Sequence, residues 1–298
     1  YRQSSDKKSY TGIIGGASTK DYQNGKIKKH EHTLEKREKI FTKYLRFCGF
    51  NAEPILLIHQ KSELLESVIK NNYSSTPLHS FTSGDFLKHE LWEINNLDDI
   101  KTIQKSFSEM DSIYIADGHH RSASSSLLAL EDEKKKSTQS VMALFMCEEN
   151  ISIFDFNRVV KNENNISEKD FITKIKYNFN ILNESKLELK PTKKHEFSIY
   201  INSNWYLIEL KNEFLDKTSI ISQLDSQILT DFILSPILDI HDLKTDKKID
   251  FFNGTKGLST IKNKVDSGEF DIALAMFPVS YQELKLIADN NLAMPPKS

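Results

Sequence analysis

Cysteine is scarce in this chain: there are two in 298 residues, Cys48 and Cys147. A disulfide framework is therefore not expected. Both thiols read as small core residues of a protein in a reducing compartment, which points to the cytoplasm. Long apolar runs are missing too, since no stretch approaches the roughly 18 residues that span a bilayer. No signal peptide is visible. Neither sign of charge dominates, as 40 basic side chains against 42 acidic ones leave −2. That is far from the basic footprint of a nucleic-acid binder, so neither nucleic acid nor membrane is an expected partner. No internal repeat recurs. The chain starts at Tyr1 rather than Met and stops at Met294-Pro295-Pro296-Lys297-Ser298, which reads as a piece of a longer protein.

What is present suits a folded protein of two domains. Hydrophobic residues make up 38% of the chain, enough for a substantial core. Tyr10 to Gly16 reads as a strand ending in a glycine pair, and Asp21 to Thr33 as a loop. Ile40, Phe41, Tyr44, Leu45 and Cys48 recur at helical spacing before Gly49, with Thr33 placed to cap that helix. Strands are expected at Pro54 to His59, Glu90 to Ile94, Ser112 to Ala116, Val141 to Cys147 and Ile151 to Phe156. Helices are expected at Ser62 to Lys70, Leu97 to Met110 and Ser122 to Leu130. A composition shift near Lys161 suggests a boundary, giving domains 1–160 and 161–298. Beyond it, helices are expected at Lys169 to Phe179, Ser219 to Leu234, Leu258 to Ser267 and Ser280 to Ala288. Strands are expected at Phe197 to Ile201, Trp205 to Leu210 and Asp271 to Phe277, with a loop at Asp250 to Gly257. The class is α+β, or mixed α/β.

The densest chemistry lies in Asp117-Gly118-His119-His120-Arg121, between an apolar strand and a helix. Unpaired N–H groups at a helix start point outward, and the helix dipole favours negative charge there. Glycine lets a ligand approach the backbone, and arginine can grip two phosphate oxygens. A phosphate fits better than a metal held by His119 and His120, because adjacent side chains diverge and no zinc-type cluster is apparent. A second group, Lys26 to Thr33, reads as a solvated basic loop. Glu31 stands out in it as a lone acid that could accept a proton from a substrate hydroxyl, if it faces the Asp117 turn. Asn157-Arg158 follows an apolar run, where the arginine could hold an anion or form a surface salt bridge. Gly254 and Gly257 do not have the spacing of a phosphate loop.

Several segments together resemble the family called domain of unknown function 1015. They are GKIKKHEHT from Gly25, YIADGHHR from Tyr114, FNRVVK from Phe156, PILDIHDLKTDKKIDFFNG from Pro236 and ADNNLAMPPKS from Ala288. The resemblance covers essentially the whole chain and implies that an N-terminal segment and a few residues after Ser298 are missing. A more distant similarity joins His30-Glu31 and the Asp117 turn to the free-serine kinases of the ParB/sulfiredoxin superfamily, which phosphorylate L-serine with ADP or ATP. That similarity implies a ParB/sulfiredoxin-like core followed by a C-terminal α+β region. It implies Glu31 as the catalytic base, with Asp117 and His119 beside it. Gly118, His119, His120, Arg121 and Ser122 would hold nucleotide phosphates. His30, Thr33, Asn157 and Arg158 would face the acceptor, a small hydroxyl amino acid. Mg²⁺ would bridge the phosphates, with Asp117 as its protein contact. Lys29 stands where those kinases tend to have Pro. Asn157 stands where the domain family usually has His, which puts an acid/base role there in doubt. An insertion is expected within Asn71 to Leu97. The turn has no cysteine, which disfavours sulfiredoxin chemistry. A non-catalytic sensor of nucleotide or amino acid would use the same residues. Acceptor, donor and oligomeric state are not readable from the sequence.

Overall fold

The computed structural model describes residues 1–6 and 8–297. The chain divides into two compact units, 1–152 and 153–298. This division falls a few residues before the composition shift near Lys161. The strand just before it pairs with two strands of the second half, so hydrogen bonding carries it into the second unit.

The first unit opens with β1 (Arg2–Ser4), β2 (Ser9–Thr11), β3 (Ile13–Ser18), α1 (Thr19–Gln23) and β4 (Ile27–Lys28). The glycine pair expected to end a strand therefore lies inside β3, paired with Met142 and Ala143. The expected loop after Asp21 contains α1 and β4. Ser18 caps α1 by accepting from the Asp21 N–H at 3.2 Å. Elements this short offer too few turns for an apolar period to show.

α2 (Glu35–Cys48) ends at Gly49, whose φ of 74° places it in the left-handed region that closes many helices. Thr33 does not cap it; its hydroxyl donates to the Glu38 carboxylate instead. The expected apolar stripe is also not the buried face. Ile40, Phe41 and Tyr44 are exposed, while Thr42 is buried and donates to the carbonyl of Ser124. A small polar residue lets α2 lie close against the next serine-rich helix, and that turns the larger apolar side chains outward.

β5 (Ile55–His59) and α3 (Glu63–Tyr73) follow, then β6 (His79–Thr82), β7 (Lys88–Leu91), α4 (Leu97–Glu109), β8 (Ile113–Asp117), α5 (His119–Glu131) and β9 (Ser140–Cys147). The central sheet has the order β3-β9-β5-β8-β4, mixing parallel and antiparallel pairs. Ile55, Leu57, Ile113, Ile115, Ala143 and Phe145 point from it into one core, closed by Leu65 of α3 and Phe107 of α4. A second, antiparallel sheet, β2-β1-β7-β6, uses the residues of the expected insertion.

The second unit contains β10 (Phe156–Val160), α6 (Glu168–Asn178), β11 (Phe179–Ser185), β12 (Glu196–Ile201) and β13 (Asn204–Leu210). It continues with α7 (Asp225–Leu229), α8 (Ser235–Leu238), β14 (Ile249–Asn253), α9 (Leu258–Asp266), β15 (Ile272–Met276) and α10 (Tyr281–Asp289). The sheet order is β11-β13-β12-β15-β10-β14, antiparallel throughout. Side chains alternate between its faces, as the pleat requires. Phe197, Ile199, Ile201, Leu274 and Met276 pack into one core with Phe171 of α6. Tyr200, Ala273 and Ala275 join Leu258 and Ile261 of α9 in another.

Three further expectations are corrected here. The strand expected to end at Phe156 begins there, because its ladder to β14 starts at Phe156. The helix expected over Ser219 to Leu234 is broken into α7 and a π-helical segment, Thr230–Leu234, that runs into α8. Pro236 has no N–H for the Phe232 carbonyl, and a widened turn ahead of it accommodates that loss. The loop expected at Asp250 holds most of β14, and only Gly254–Lys256 forms a short turn. The mixed α/β class holds for both units.

Candidate functional site

β8 carries its chain out of the first unit's core and ends at exposed Asp117. Gly118 then turns the chain with φ 91° and ψ 29°. A Cβ at Gly118 would sit 2.8 Å from Cγ2 of Ile55, so both the backbone angle and the space demand glycine. α5 starts at once, and its ladder opens with the Ser122 N–H donating to the Gly118 carbonyl at 2.9 Å. The N–H groups of the first turn, at His119, His120 and Arg121, precede that ladder and point out of the helix start. No acid occupies this first turn. The helix therefore starts three residues earlier than the sequence pattern indicates, and the two imidazoles belong to it.

β4 runs parallel to β8, with Ile27 opposite Ile113 and Lys28 opposite Tyr114. The segment after β4 is thereby delivered to the same strand ends as the turn. His30 and His119 meet edge to face, with ring centroids 4.5 Å apart. Both are buried. The His30 N–H donates to Nε2 of His119 at 3.5 Å. With Nε2 accepting, the neutral ring carries its proton on Nδ1. Nδ1 lies 3.5 Å from Oε2 of Glu31, whose side chain is 59% exposed. Burial holds His30 down to about 4. Burial also holds His119 down to about 3, helped by His30, His120 and Lys29. Both imidazoles are thus neutral near pH 7, and His119 orients Glu31 without forming a full ion pair with it.

Arg121 is anchored from three sides. One terminal nitrogen donates to the Pro54 carbonyl at 2.6 Å and lies 2.8 Å from Glu53 Oε2; the other pairs with Asp117. Glu53 and the Pro54 carbonyl are partners that the sequence reading missed, and nothing in the local sequence marks them. His120 keeps a buried Nδ1 with no partner among the described residues. Ser122 is buried and its hydroxyl donates back to Gly118, so its side chain serves the helix start. Thr33 is tied to Glu38.

Asn157 and Arg158 lie within β10 of the second unit, and both are buried. Asn157 Oδ1 has no partner among the described residues. Arg158 donates to the carbonyls of Phe156 and Lys297 and to Sδ of Met276, and its guanidinium lies 5.4 Å from the centre of the Phe251 ring. Burial lowers its pKa to about 10. The surface salt bridge considered for Arg158 does not form among the described residues.

Two kinds of cation site need comparing. Mg²⁺ takes oxygen donors and keeps several waters. The exposed carboxylates of Glu31 and Asp117 suit it, and the buried imidazoles do not. His30, Glu31 and His119 also place their ligand atoms within 4.8 Å of one another, a nitrogen-rich set that a transition metal could take. In the sequence His119 has only His120 as a neighbouring imidazole. The meeting of His30 with His119 depends on the β4–β8 pairing, which spacing does not reveal.

No helix among the described residues is long and apolar enough to cross a membrane. No curated protein matches the chain. Among solved structures, SbnI with C-terminal truncation from Staphylococcus aureus is 12% identical, with 95% of this chain and 80% of that one covered and a TM-score of 0.47. A free serine kinase in complex with AMP is 14% identical, covering 97% and 87%, with a TM-score of 0.44. A conserved hypothetical protein from Pyrococcus furiosus is 14% identical, covering 97% and 90%, with a TM-score of 0.41. The family described as Protein of unknown function (DUF1015) matches residues 1–227, and the chain belongs to that family.

Proposed function

We propose that this protein is a phosphotransferase that moves a phosphoryl group from ATP or ADP to a small hydroxyl acceptor, with free L-serine the favoured acceptor. One observation carries the reading: Glu31, remote in sequence, stands 3.5 Å from His119 at the open start of α5. A carboxylate able to take a proton thus adjoins a helix start able to hold phosphate. Serine as acceptor is supported by the two short motifs shared with free-serine kinases, His30-Glu31 and the Asp117 turn.

In this mechanism the N–H groups of His119 and His120 hold the donor phosphates at the positive end of α5. Arg121 adds charge and direction. Glu31 removes the acceptor's hydroxyl proton as that oxygen bonds to phosphorus, and the bond from phosphorus to the leaving nucleotide oxygen breaks. His119 holds Glu31 in place through Nδ1–H. Mg²⁺, when bound through Asp117, would supply neutralisation of phosphate charge. Positioning and charge account for most of what such a transfer needs. The two free thiols suit the cytoplasm as its location.

The test is a ³¹P NMR assay with ATP or ADP, Mg²⁺ and a panel of hydroxyl amino acids. The expected result is a phosphomonoester signal that grows with serine over many turnovers. Nucleotide binding with no transfer to any acceptor would overturn the enzyme reading and leave a sensor.

A further inference from the structure

The first unit also has a half-open cleft that its core does not fill. A cavity of about 960 Å³ opens beside β3, α3 and α4. Packed interiors leave few voids larger than a water molecule, whereas small-molecule sites run from roughly 300 to 1,000 Å³. Ile69, Ile103, Phe107 and Phe145 form its apolar wall. Leu91 and Trp92, from the inserted segment, complete it.

This cavity is separate from the Asp117 site. Ile27 and Ile113 line it, and they are paired at the beginning of the β4–β8 ladder. The turn lies past the other end of β8, roughly 13 Å along the strand at about 3.3 Å per residue.

The polar groups at the cavity fall into two sets. Trp92 Nε1 donates to the Ser75 carbonyl at 2.9 Å, and Lys26 Nζ donates to the Ser108 carbonyl at 3.0 Å. Both are engaged within the protein. Asp21, Glu93 and Gln104 line the cavity with no side-chain partner among the described residues. Glu93 and Gln104 are exposed, so they stand at its rim. Two unpaired carboxylates beside an apolar chamber favour a hydrogen-bond donor and disfavour an anion.

We propose that this cavity binds a largely apolar small molecule carrying one hydroxyl or amino group. Its body packs against Phe107, Phe145 and Trp92, and its donor faces one of the two carboxylates, Asp21 or Glu93. The inserted segment is then the part of the chain that forms a second ligand site.

N-Phenyl-1-naphthylamine, neutral and with a single N–H, is the probe. The full chain should bind it saturably and with quenching of Trp92 fluorescence. In Trp92→Phe that quenching should disappear while calorimetric binding remains. Gly15 supplies the blocking variant. It lies on β3 between Ile13 and Ala17 and lines the cavity, and an added Cβ would meet only a Phe145 ring atom, at 3.9 Å. Gly15→Leu should weaken probe binding by about tenfold or more, with the circular dichroism and the nucleotide affinity unchanged. Ile103→Phe narrows the cavity from the α4 side and should do the same if Gly15→Leu does not fold. Absence of saturable binding, or binding that neither variant weakens, would overturn the proposal. Tighter binding of anilinonaphthalene sulfonate than of the neutral amine would overturn the donor end of it.

Discussion

Arg158 and Arg121 show how differently the two units use a buried or half-buried cation. Arg158 is fully buried in the second unit's sheet, where its terminal nitrogens donate to two carbonyls and a thioether while Nε finds no partner among the described residues. Arg121, in the first turn of α5, has a side chain 25% exposed and holds two carboxylates and a carbonyl. The surroundings follow the same division. The second unit's sheet is packed on both faces. The first unit leaves a helix start open and a chamber unfilled. A polar group inside a two-sided sheet serves the architecture, while one beside an open helix start can exchange its partners for a ligand.

The largest expected effect tests that division directly. Glu31→Gln should lower turnover by about 10²–10⁴-fold while nucleotide affinity, measured by calorimetry, stays within a factor of about three. Equal loss of both would remove Glu31 as the base. Phe197→Ala, in the second unit's filled core, should cost about 3–5 kcal/mol by denaturant titration. Phe145→Ala, beside the cavity, should cost less, because the ring already borders empty space; equal costs would contradict the contrast.

Acid should act on the first unit through its paired imidazoles. His30 and His119 are held to about 4 and about 3, below the ordinary 6.5. The unfolded chain therefore binds more protons between those values. Stability is fully present above pH 6.5 and is lost as pH falls toward 4 and then 3, by about 1.4 kcal/mol per imidazole for each pH unit in that window. Denaturant midpoints at pH 7, 5 and 4 check this, and His30→Gln should flatten the slope. Gly118→Ala should cost about 1–2 kcal/mol from its left-handed backbone, with further strain against Ile55. Phe47→Ser should change stability by about 0.5 kcal/mol or less, since Phe47 is 93% exposed.

Much of the chain could be read from its sequence where the pattern was long. β5, α3, α4, β8 and β9 fall within a few residues of their expected places, because their apolar runs face a core. α1 and β4 were hidden by their shortness. α2 was found, but its face was misjudged, since period reveals a helix without saying which side is covered; Thr42 decided that through the serine-rich face of α5. Asp117 to Arg121 and Glu31 could be singled out because each is chemically unusual for its position. Their convergence was not readable, because it depends on a two-residue parallel pairing. The cavity left no trace either, as an unfilled space is a property of packing between elements that no local pattern records.

Arg121 is already engaged before any ligand arrives. Its guanidinium holds Asp117, Glu53 and the Pro54 carbonyl, so its single positive charge is more than offset from within. An incoming anion must compete for a partner that is taken. A small monovalent anion would exchange one contact for another of similar strength and gain little. A polyphosphate can engage the helix start first and then recruit Arg121, whose release frees Asp117. Such a site ignores the common anions of the cell and responds to ligands that reach several donors at once.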